Sequence, residues 1–329
     1  MLNDKEFGAF QEGIFKKYFE KYILFKRGKG EKVTHSTLIR LKSLNQTLNQ
    51  SCVSLKIPRD VIEVILHKKE DESLSTQSLR ISDFRQFSSF LRSLGIDSYD
   101  IPHKYNKKIY VPFRPYIFSE SELKAITMAA DQLPKGVRSQ THCVVYPIII
   151  RILIGTGMRI GEVLSLKVQD VDVVNRLFIV YKAKNNISRY VPMSETLSAC
   201  IEKYLSMIQH HNDPRQFLFI SPYTGTGYSY CAMKYMFQKI YTAAGVRTPQ
   251  GRLPRIHDLR HSFCTASLNR MLDSGMHLYT AVPILAAYVG HVNLIDTERY
   301  IHLTEHHYDD FIKKESSLSR LIPEVDNET

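Results

Sequence analysis

The segment GTGMRIGEVLSL, residues 155–166, follows an apolar run and places an arginine directly after two glycines. The apolar run, 144–154, is predicted to be a helix, and the glycines allow the chain to turn sharply after it. We expect a new helix to begin at Arg159, with Glu162 on the same face to hold the guanidinium in one orientation. A guanidinium binds two phosphate oxygens in one plane, and a helix N-terminus adds attraction for an anion. Considered alone, however, the pair is more simply a surface Arg–Glu ion pair.

Short strands are predicted after this segment, around 168–171, 177–181 and 189–193. Turn-forming residues at 172–175 and 184–187 separate them. Most of the remaining chain has helical patterns, apart from a loop at 221–227. The sequence therefore predicts a mainly α protein with a small antiparallel sheet.

The first hundred residues also have apolar side chains at helical spacing. A stripe of Phe84, Phe87, Phe90 and Leu91 lies in a predicted helix that Gly95 ends, and we expect it to face a core. A segment rich in proline and lysine follows, and Ser119 then opens a fresh helix. We therefore predict a helical domain at 1–110, a linker at 111–118 and a second domain at 119–329.

The chain is basic, with a net charge of +11 and a pI near 9.3. Residues 1–115 hold 21 Lys and Arg against 13 Asp and Glu, a net charge of +8, whereas the rest carries +3. This balance favours a polyanionic partner that is gripped mainly by the N-terminal third. The lysines selected as its contacts are Lys16, Lys17, Lys21, Lys104, Lys107 and Lys108.

The five cysteines are odd in number, widely scattered and without a CxxC pair, which is typical of thiols in a reducing compartment. The N-terminus lacks the charged and then apolar pattern of a signal peptide. The longest apolar run, at 144–155, is interrupted by Arg151 and is too short to span a bilayer. We therefore expect a cytoplasmic protein without membrane contact.

A second polar segment, PRIHDLRHS, spans residues 254–262. His257 and Arg260 are three residues apart on one predicted helical face, which His261 also reaches, so a proton carrier lies beside a cation. The segment superficially resembles the zinc-binding pattern H-E-x-x-H. Zinc hydrolysis is disfavoured because Asp258 is too short to serve as that general base and a third ligand is missing from the pattern.

The third segment, YVGHVNLIDTERYIHL, spans residues 288–303 and places Tyr300 nine positions after His291. A tyrosine is a suitable covalent nucleophile for a phosphodiester, because its pKa lies far below that of a sugar hydroxyl and it leaves again readily. The chain contains 19 tyrosines, so only the sequence setting distinguishes this one.

Together these three segments resemble the signature boxes of the tyrosine recombinase (phage integrase) family. The resemblance covers about the C-terminal two-thirds and is greatest to transposon-encoded integrases. It implies an N-terminal helical core-binding (SAM-like) domain and a mixed α/β catalytic domain. The implied catalytic residues are Arg159, Lys184, His257, Arg260, His291 and Tyr300.

By this resemblance Tyr300 attacks the scissile phosphate and forms a 3′-phosphotyrosyl bond. Arg159 and Arg260 would hold the non-bridging oxygens, His291 would donate to the same oxygens, and His257 would assist proton transfer. The general acid belongs on the turn between two strands. Lys184 is selected for it because its distance to the next strand suits the family's hairpin, and Lys182 stays an alternative.

The implied activity is site-specific recombination through a Holliday junction for a mobile element, without a cofactor or metal. The implied partners are double-stranded DNA with recombination sites, further copies of a chain that is monomeric in solution and tetrameric on DNA, and accessory or sibling recombinases. The expected compartment is the bacterial cytoplasm and nucleoid. Two alternatives stay open: relaxation of DNA in the manner of a type IB topoisomerase, and DNA binding by a catalytically silent regulator.

Overall fold

The structure is a computed structural model that describes residues 10–31, 33–70, 72–99, 101, 115–134, 142–181, 188–207, 213–291, 297 and 300. It divides into two compact units, Met1–Phe113 and Arg114–Thr329. The described residues are mostly helical and include one small antiparallel sheet, which confirms the predicted fold class. The predicted domain boundaries at residues 110 and 118 stay predictions.

The first unit is built around one long helix. Its helices are α1 (Lys16–Gly28), α2 (His35–Ser51), α3 (Arg59–Leu66) and α4 (Leu74–Ser93). Helix α4 packs against the other three, and its Phe87 ring stacks on Phe19 with centroids 3.9 Å apart. Gly95, with φ of 77°, ends the helix by letting the Ile96 N–H return to the Leu91 carbonyl. The aromatic stripe predicted from the sequence is therefore core.

The second unit contains seven helices among its described residues. They are α5 (Glu120–Asp131), α6 (His142–Thr156), α7 (Ile160–Ser165), α8 (Glu195–Met207), α9 (Tyr230–Ala243), α10 (Ile256–Asp273) and α11 (Leu278–Val289). Helix α6 is apolar on nearly every side and is surrounded by α5, α7, α8 and α10, as expected of a helix without a solvent face. Within the described residues, no helix combines the length and the apolar character needed to cross a membrane.

The small sheet follows α7. Its strands are β1 (Val171–Asp172), β2 (Leu177–Val180) and β3 (Arg189–Pro192), and they pair antiparallel in the order β1-β2-β3. The register places Phe178 opposite Val191, and both side chains are buried. The prediction of a strand at 168–171 was wrong over most of its length, because Val168–Asp170 forms a 3-10 turn. The Asp170 carboxylate caps this turn by accepting from the Lys167 N–H, which is a local bond that competes with strand pairing.

The turn between α6 and α7 depends on Gly157, which has φ of 62°. A Cβ atom at this position would lie 2.2 Å from the Phe263 ring of α10. The sequence predicted a sharp turn at the glycines, whereas Gly155 itself still belongs to α6. The close approach brings the start of α7 beside α10, and these elements carry the two arginines of the predicted site.

Candidate active site

Arg159 lies at the N-cap of α7, as predicted, and its guanidinium is held by Glu162. The Glu162 carboxylate accepts from the Arg159 backbone N–H and from its Nη1, both at 2.9 Å. Burial raises the pKa of Glu162, but the hydrogen bonds and charge of Arg189 and the hydrogen bonds from Arg159 outweigh it and lower this pKa to about 2. Glu162 is therefore an anion at neutral pH, and it fixes the direction in which Arg159 points.

Arg260 lies on α10 with only 2% of its surface exposed. Its Nη1 donates to the Gly157 carbonyl at 2.8 Å, and its Nη2 donates to the Val289 carbonyl at 2.6 Å. Burial, together with the positive charge of Arg159, lowers the pKa of the guanidinium below its usual value. Arg260 is nevertheless a cation, since the ordinary pKa of arginine is far above neutrality.

The C-terminal end of α11 is the point where the arginines meet. Gly290 ends this helix with φ of 69°, and the N–H groups of Gly290 and His291 donate to the carbonyls of Ala287 and Ala286. The next three carbonyls each accept from a different guanidinium. Tyr288 pairs with Arg189 at 2.9 Å, Val289 with Arg260 at 2.6 Å, and Gly290 with Arg159 at 3.3 Å. Cations therefore satisfy the carbonyls that a helix end leaves without partners, where the helix dipole is negative.

His291 follows this helix end and is held on both ring nitrogens. Its Nε2 lies 3.1 Å from Arg260 Nη2, and its Nδ1 lies 2.8 Å from the Thr297 hydroxyl. Because a guanidinium only donates, Nε2 accepts from it, and we assign the ring proton to Nδ1, which donates to Thr297. In this tautomer Nε2 carries no proton, and its lone pair faces Arg260.

Tyr300 is buried, with 2% of its surface exposed. Its hydroxyl lies 3.0 Å from Nδ1 of His261, and the Cys264 thiol, whose pKa is raised by burial, lies in the same apolar cluster. The ring packs in an apolar cluster with residues of α10 and α11, and its centroid is 6.3 Å from that of His291. The hydroxyl is thus close to the other predicted groups, but it is covered by protein.

The remaining predicted residues are less tightly placed. His257 is exposed at the start of α10, with its ring edge-on to His261 at 4.8 Å between centroids. The sequence analysis assigned no role to His261, although His261 was expected to reach this face. In the structure, His261 is the residue that contacts the Tyr300 hydroxyl. Lys184 and its alternative Lys182 lie outside the described residues. Within the described residues, His, Cys, Asp and Glu form no group of three that could hold a metal ion.

Of the lysines predicted to contact a polyanion, three lie on or beside the exposed face of α1. Lys17 and Lys21 are exposed, whereas Lys16 is partly buried and forms an ion pair with Glu12. Lys16 therefore offers less free charge than the sequence suggested. Lys104, Lys107 and Lys108 lie outside the described residues.

Arg189 is a residue of this site that sequence reasoning missed. It opens β3, and its two terminal nitrogens donate to both carboxylate oxygens of Glu162, at 3.1 and 2.8 Å. A signal was present in the sequence, since residues 189 and 191 share one face of a strand and Val191 is apolar. An arginine on the buried face of a strand requires an acidic or carbonyl partner.

Comparison with known proteins gives a consistent result. Residues 116–307 match the phage integrase family, which is more than half of the chain. The protein y4rB of Sinorhizobium fredii is 29% identical over 193 residues, which is 57% of this chain and 61% of y4rB. The chain therefore spans about three fifths of the length of that relative. Tyrosine recombinase XerC of Staphylococcus carnosus is 27% identical over 262 residues, covering 71% of this chain and 81% of XerC.

Among solved structures, the Tn1549 transposon integrase in complex with circular intermediate DNA resembles this chain with a TM-score of 0.59. The match covers 86% of this chain and 94% of that one at 20% identity. At this identity the likeness establishes the shared fold.

Proposed function

The chain belongs to the phage integrase family, and from this premise we propose that it is a site-specific DNA recombinase. It would cleave and rejoin strands through a 3′-phosphotyrosyl intermediate and a Holliday junction. One observation carries the proposal: Arg159, Arg260 and His291 converge at the end of α11, with the Tyr300 ring in the same part of the unit. These groups come from three segments far apart in the sequence and have complementary chemistry.

The two arginines would stabilise the charge that develops on the phosphate. The carbonyls of Gly290 and Val289 now accept from Arg159 and Arg260, so the non-bridging oxygens of a phosphate can replace them as stronger, anionic acceptors. His291, whose Nε2 now accepts from Arg260, would become a donor to the same oxygens once it is protonated. Preorganised cations of this kind are worth most in a site from which water is excluded.

In the cleavage step the Tyr300 oxygen attacks phosphorus, and the bond from phosphorus to the 5′-oxygen breaks. The tyrosine proton passes to the solvent with the assistance of His257, and Lys184 protonates the leaving 5′-oxygen. The 3′-phosphotyrosyl bond preserves the phosphodiester linkage, so religation by a 5′-hydroxyl reverses the step. Because Tyr300 is buried against His261, its hydroxyl must leave that position before it can reach a phosphate.

The proposed substrate is double-stranded DNA with specific recombination sites, and the proposed active assembly is a tetramer of this chain on DNA. The net charge of +8 on residues 1–115 supports a role for the first unit in gripping the phosphate backbone, with Lys17 and Lys21 as exposed contacts. The likeness to a transposon integrase bound to a circular DNA intermediate supports a mobile element as the source of the sites. We place the reaction in the bacterial cytoplasm, with accessory or sibling recombinases as further partners.

The test begins by selecting bound sequences from a randomised duplex library with the full chain. The selected duplex is then nicked close to each candidate cleavage position, so that the short fragment diffuses away and the covalent complex is trapped. A denaturant-resistant protein–DNA adduct on selected sequences supports the proposal. Relaxation of supercoiled plasmids regardless of sequence would instead identify a topoisomerase, and sequence-specific binding without any adduct would identify a regulator.

A further inference from the structure

Arg189 has the contacts of a structural element of the site rather than those of an isolated ion pair. Its side chain is 8% exposed, and it makes three hydrogen bonds at once, two to Glu162 and one to the Tyr288 carbonyl. A bidentate guanidinium–carboxylate pair fixes both partners in one plane. Gly290 leaves room for this guanidinium, because a Cβ atom at position 290 would lie 3.2 Å from Arg189 Nη1.

These contacts join three segments that each carry part of the proposed chemistry. Glu162 directs Arg159, the Tyr288 carbonyl belongs to the helix end that precedes His291, and Arg189 itself lies five residues after Lys184 in the sequence. Arg159 and Arg260 can each exchange one carbonyl for a phosphate oxygen, while their other bonds, to Glu162 and to the Gly157 carbonyl, stay in place. Within the part of the chain that the structure describes, the side-chain hydrogen bonds of Arg189 go to Glu162 and to the Tyr288 carbonyl, so Arg189 can keep its position while the other two arginines change partners.

We propose that Arg189 is a positioning residue for strand cleavage, which holds Glu162 and the end of α11 in register and through them orients Arg159 and His291. The inference rests on the proposed recombinase function and adds a residue to its site. Arg189 itself does not touch the phosphate. Its effect on the reaction comes from the placement of the groups that do, and a misplacement of about 1 Å in such groups can slow a reaction by about 100-fold.

The pH dependence of cleavage distinguishes this positioning role from a purely stabilising one, because it depends on the charges around Glu162. The groups that face this carboxylate are Arg189 from β3, Arg159 from the start of α7 and, at longer range, Arg260 from α10. Burial alone would raise the pKa of Glu162. Without Arg189 the carboxylate loses its principal partner, so its pKa rises and the protonated form appears under mildly acidic conditions. Cleavage by such a variant should therefore fall more steeply as the pH is lowered than cleavage by the unaltered chain, in which the histidines of the proposed mechanism set the pH dependence.

The experiment measures the single-turnover rate of adduct formation on the selected, nicked duplex at saturating protein. Arg189→Gln should slow it by about 100-fold with DNA affinity unchanged, and its rate should fall further between about pH 8 and about pH 5.5. Arg189→Lys keeps the charge but cannot form the bidentate pair, so it should cleave at an intermediate rate with a pH profile close to that of the unaltered chain. The double variant Arg189→Gln with Glu162→Gln should be slowed by less than the product of the two single effects, because the two changes share one connection while Glu162 also holds Arg159.

Arg151→Gln is the matched control, because Arg151 forms a bidentate pair with Asp131 elsewhere in the same unit. It removes a bidentate ion pair that is more exposed than that of Arg189, and it should leave cleavage unchanged. The inference is overturned if Arg189→Gln cleaves as fast as this control, or if the effects of the Arg189 and Glu162 changes multiply. If Arg189→Gln does not fold, Arg189→Lys is tested in its place. A cleavage rate for Arg189→Lys equal to that of the unaltered chain would also contradict the inference. Failure of the unaltered chain to form any adduct would instead contradict the proposed function.

Discussion

Two groups of residues within the second unit are held in opposite ways. The arginine group, Arg159, Arg189 and Arg260, is fixed by hydrogen bonds to carbonyls and to Glu162. The tyrosine group, Tyr300 with His261 and Cys264, is held by packing in an apolar cluster and by the hydrogen bond between the Tyr300 hydroxyl and His261. The first arrangement directs charge toward one place, whereas the second covers the reactive atom.

This difference indicates a division of labour between the two groups. Cations that stabilise developing charge are most effective when they are already in place, because no reorganisation is then needed during the reaction. A nucleophile that remains buried until DNA binds cannot react with incorrect substrates in solution. The following predictions test whether the arginine group is indeed fixed and the tyrosine group indeed releasable.

The largest effect is expected from Tyr300→Phe. This change removes the nucleophilic oxygen while the ring still fills its apolar site, so adduct formation on the nicked duplex should be abolished. DNA affinity, measured by fluorescence anisotropy on the same duplex, should be retained. Mass spectrometry of the adduct provides the check on the unaltered chain, and attachment of DNA to another residue, such as Tyr288, would contradict the assignment.

Arg159→Lys should be the next most damaging change. An ammonium can pair with Glu162 but cannot span two phosphate oxygens, so the single-turnover cleavage rate should fall by about 100- to 1,000-fold. Arg176→Lys is a suitable control, because the Arg176 guanidinium forms an exposed pair with Glu195. If the two variants cleave at equal rates, the guanidinium of Arg159 is not required.

Gly157→Ala tests the turn that positions the arginine group. Its positive φ and the contact of a new Cβ with Phe263 should lower the free energy of unfolding by about 2 to 4 kcal/mol, measured by denaturant titration. Gly245→Ala separates the two causes, because Gly245 also has positive φ but has nothing within 4 Å of its Cβ position. We expect about 1 kcal/mol for the control. Equal losses in both variants would show that the approach of Phe263 is unimportant.

The smallest effect is expected from His261→Phe, which removes a hydrogen-bond partner of the Tyr300 hydroxyl. Loss of a net contribution of about 1 kcal/mol should ease release of the tyrosine and raise the cleavage rate by about fivefold. Nitration of Tyr300, followed by peptide mass spectrometry, should increase relative to the exposed Tyr235. A slower reaction would assign His261 a direct role in catalysis instead of a role in holding the tyrosine.

Much of the helical framework could be predicted because its signals are local. The stripe that contains Phe87, the N-cap at Arg159 and the capping box at Ser119 all follow from residues within one or two helical turns. The error at 168–171 has the same origin. An apolar pair there favours a strand, but the Asp170 carboxylate caps a 3-10 turn, and short segments of this kind do not reveal which interaction will prevail.

The site was only partly predictable. Arg159, Arg260, His291 and Tyr300 could be selected because their residue types and local settings are informative, although their catalytic roles stay predictions. The contacts of Arg189 and His261 could not be derived, because each bond joins positions tens of residues apart. For Arg189 the partners are Glu162 and Tyr288, 27 and 99 residues away.

The amino-acid sequence by itself determined most of the helical framework, its apolar faces and the inventory of reactive side chains, since these depend on neighbours along the chain. Only the tertiary structure decided which carbonyl each guanidinium satisfies and that the Tyr300 hydroxyl is covered. These features arise where α10, α11 and β3 come together. Hydrogen bonds between such elements are sensitive to displacements of a few tenths of an ångström, and local sequence patterns carry no information about these displacements.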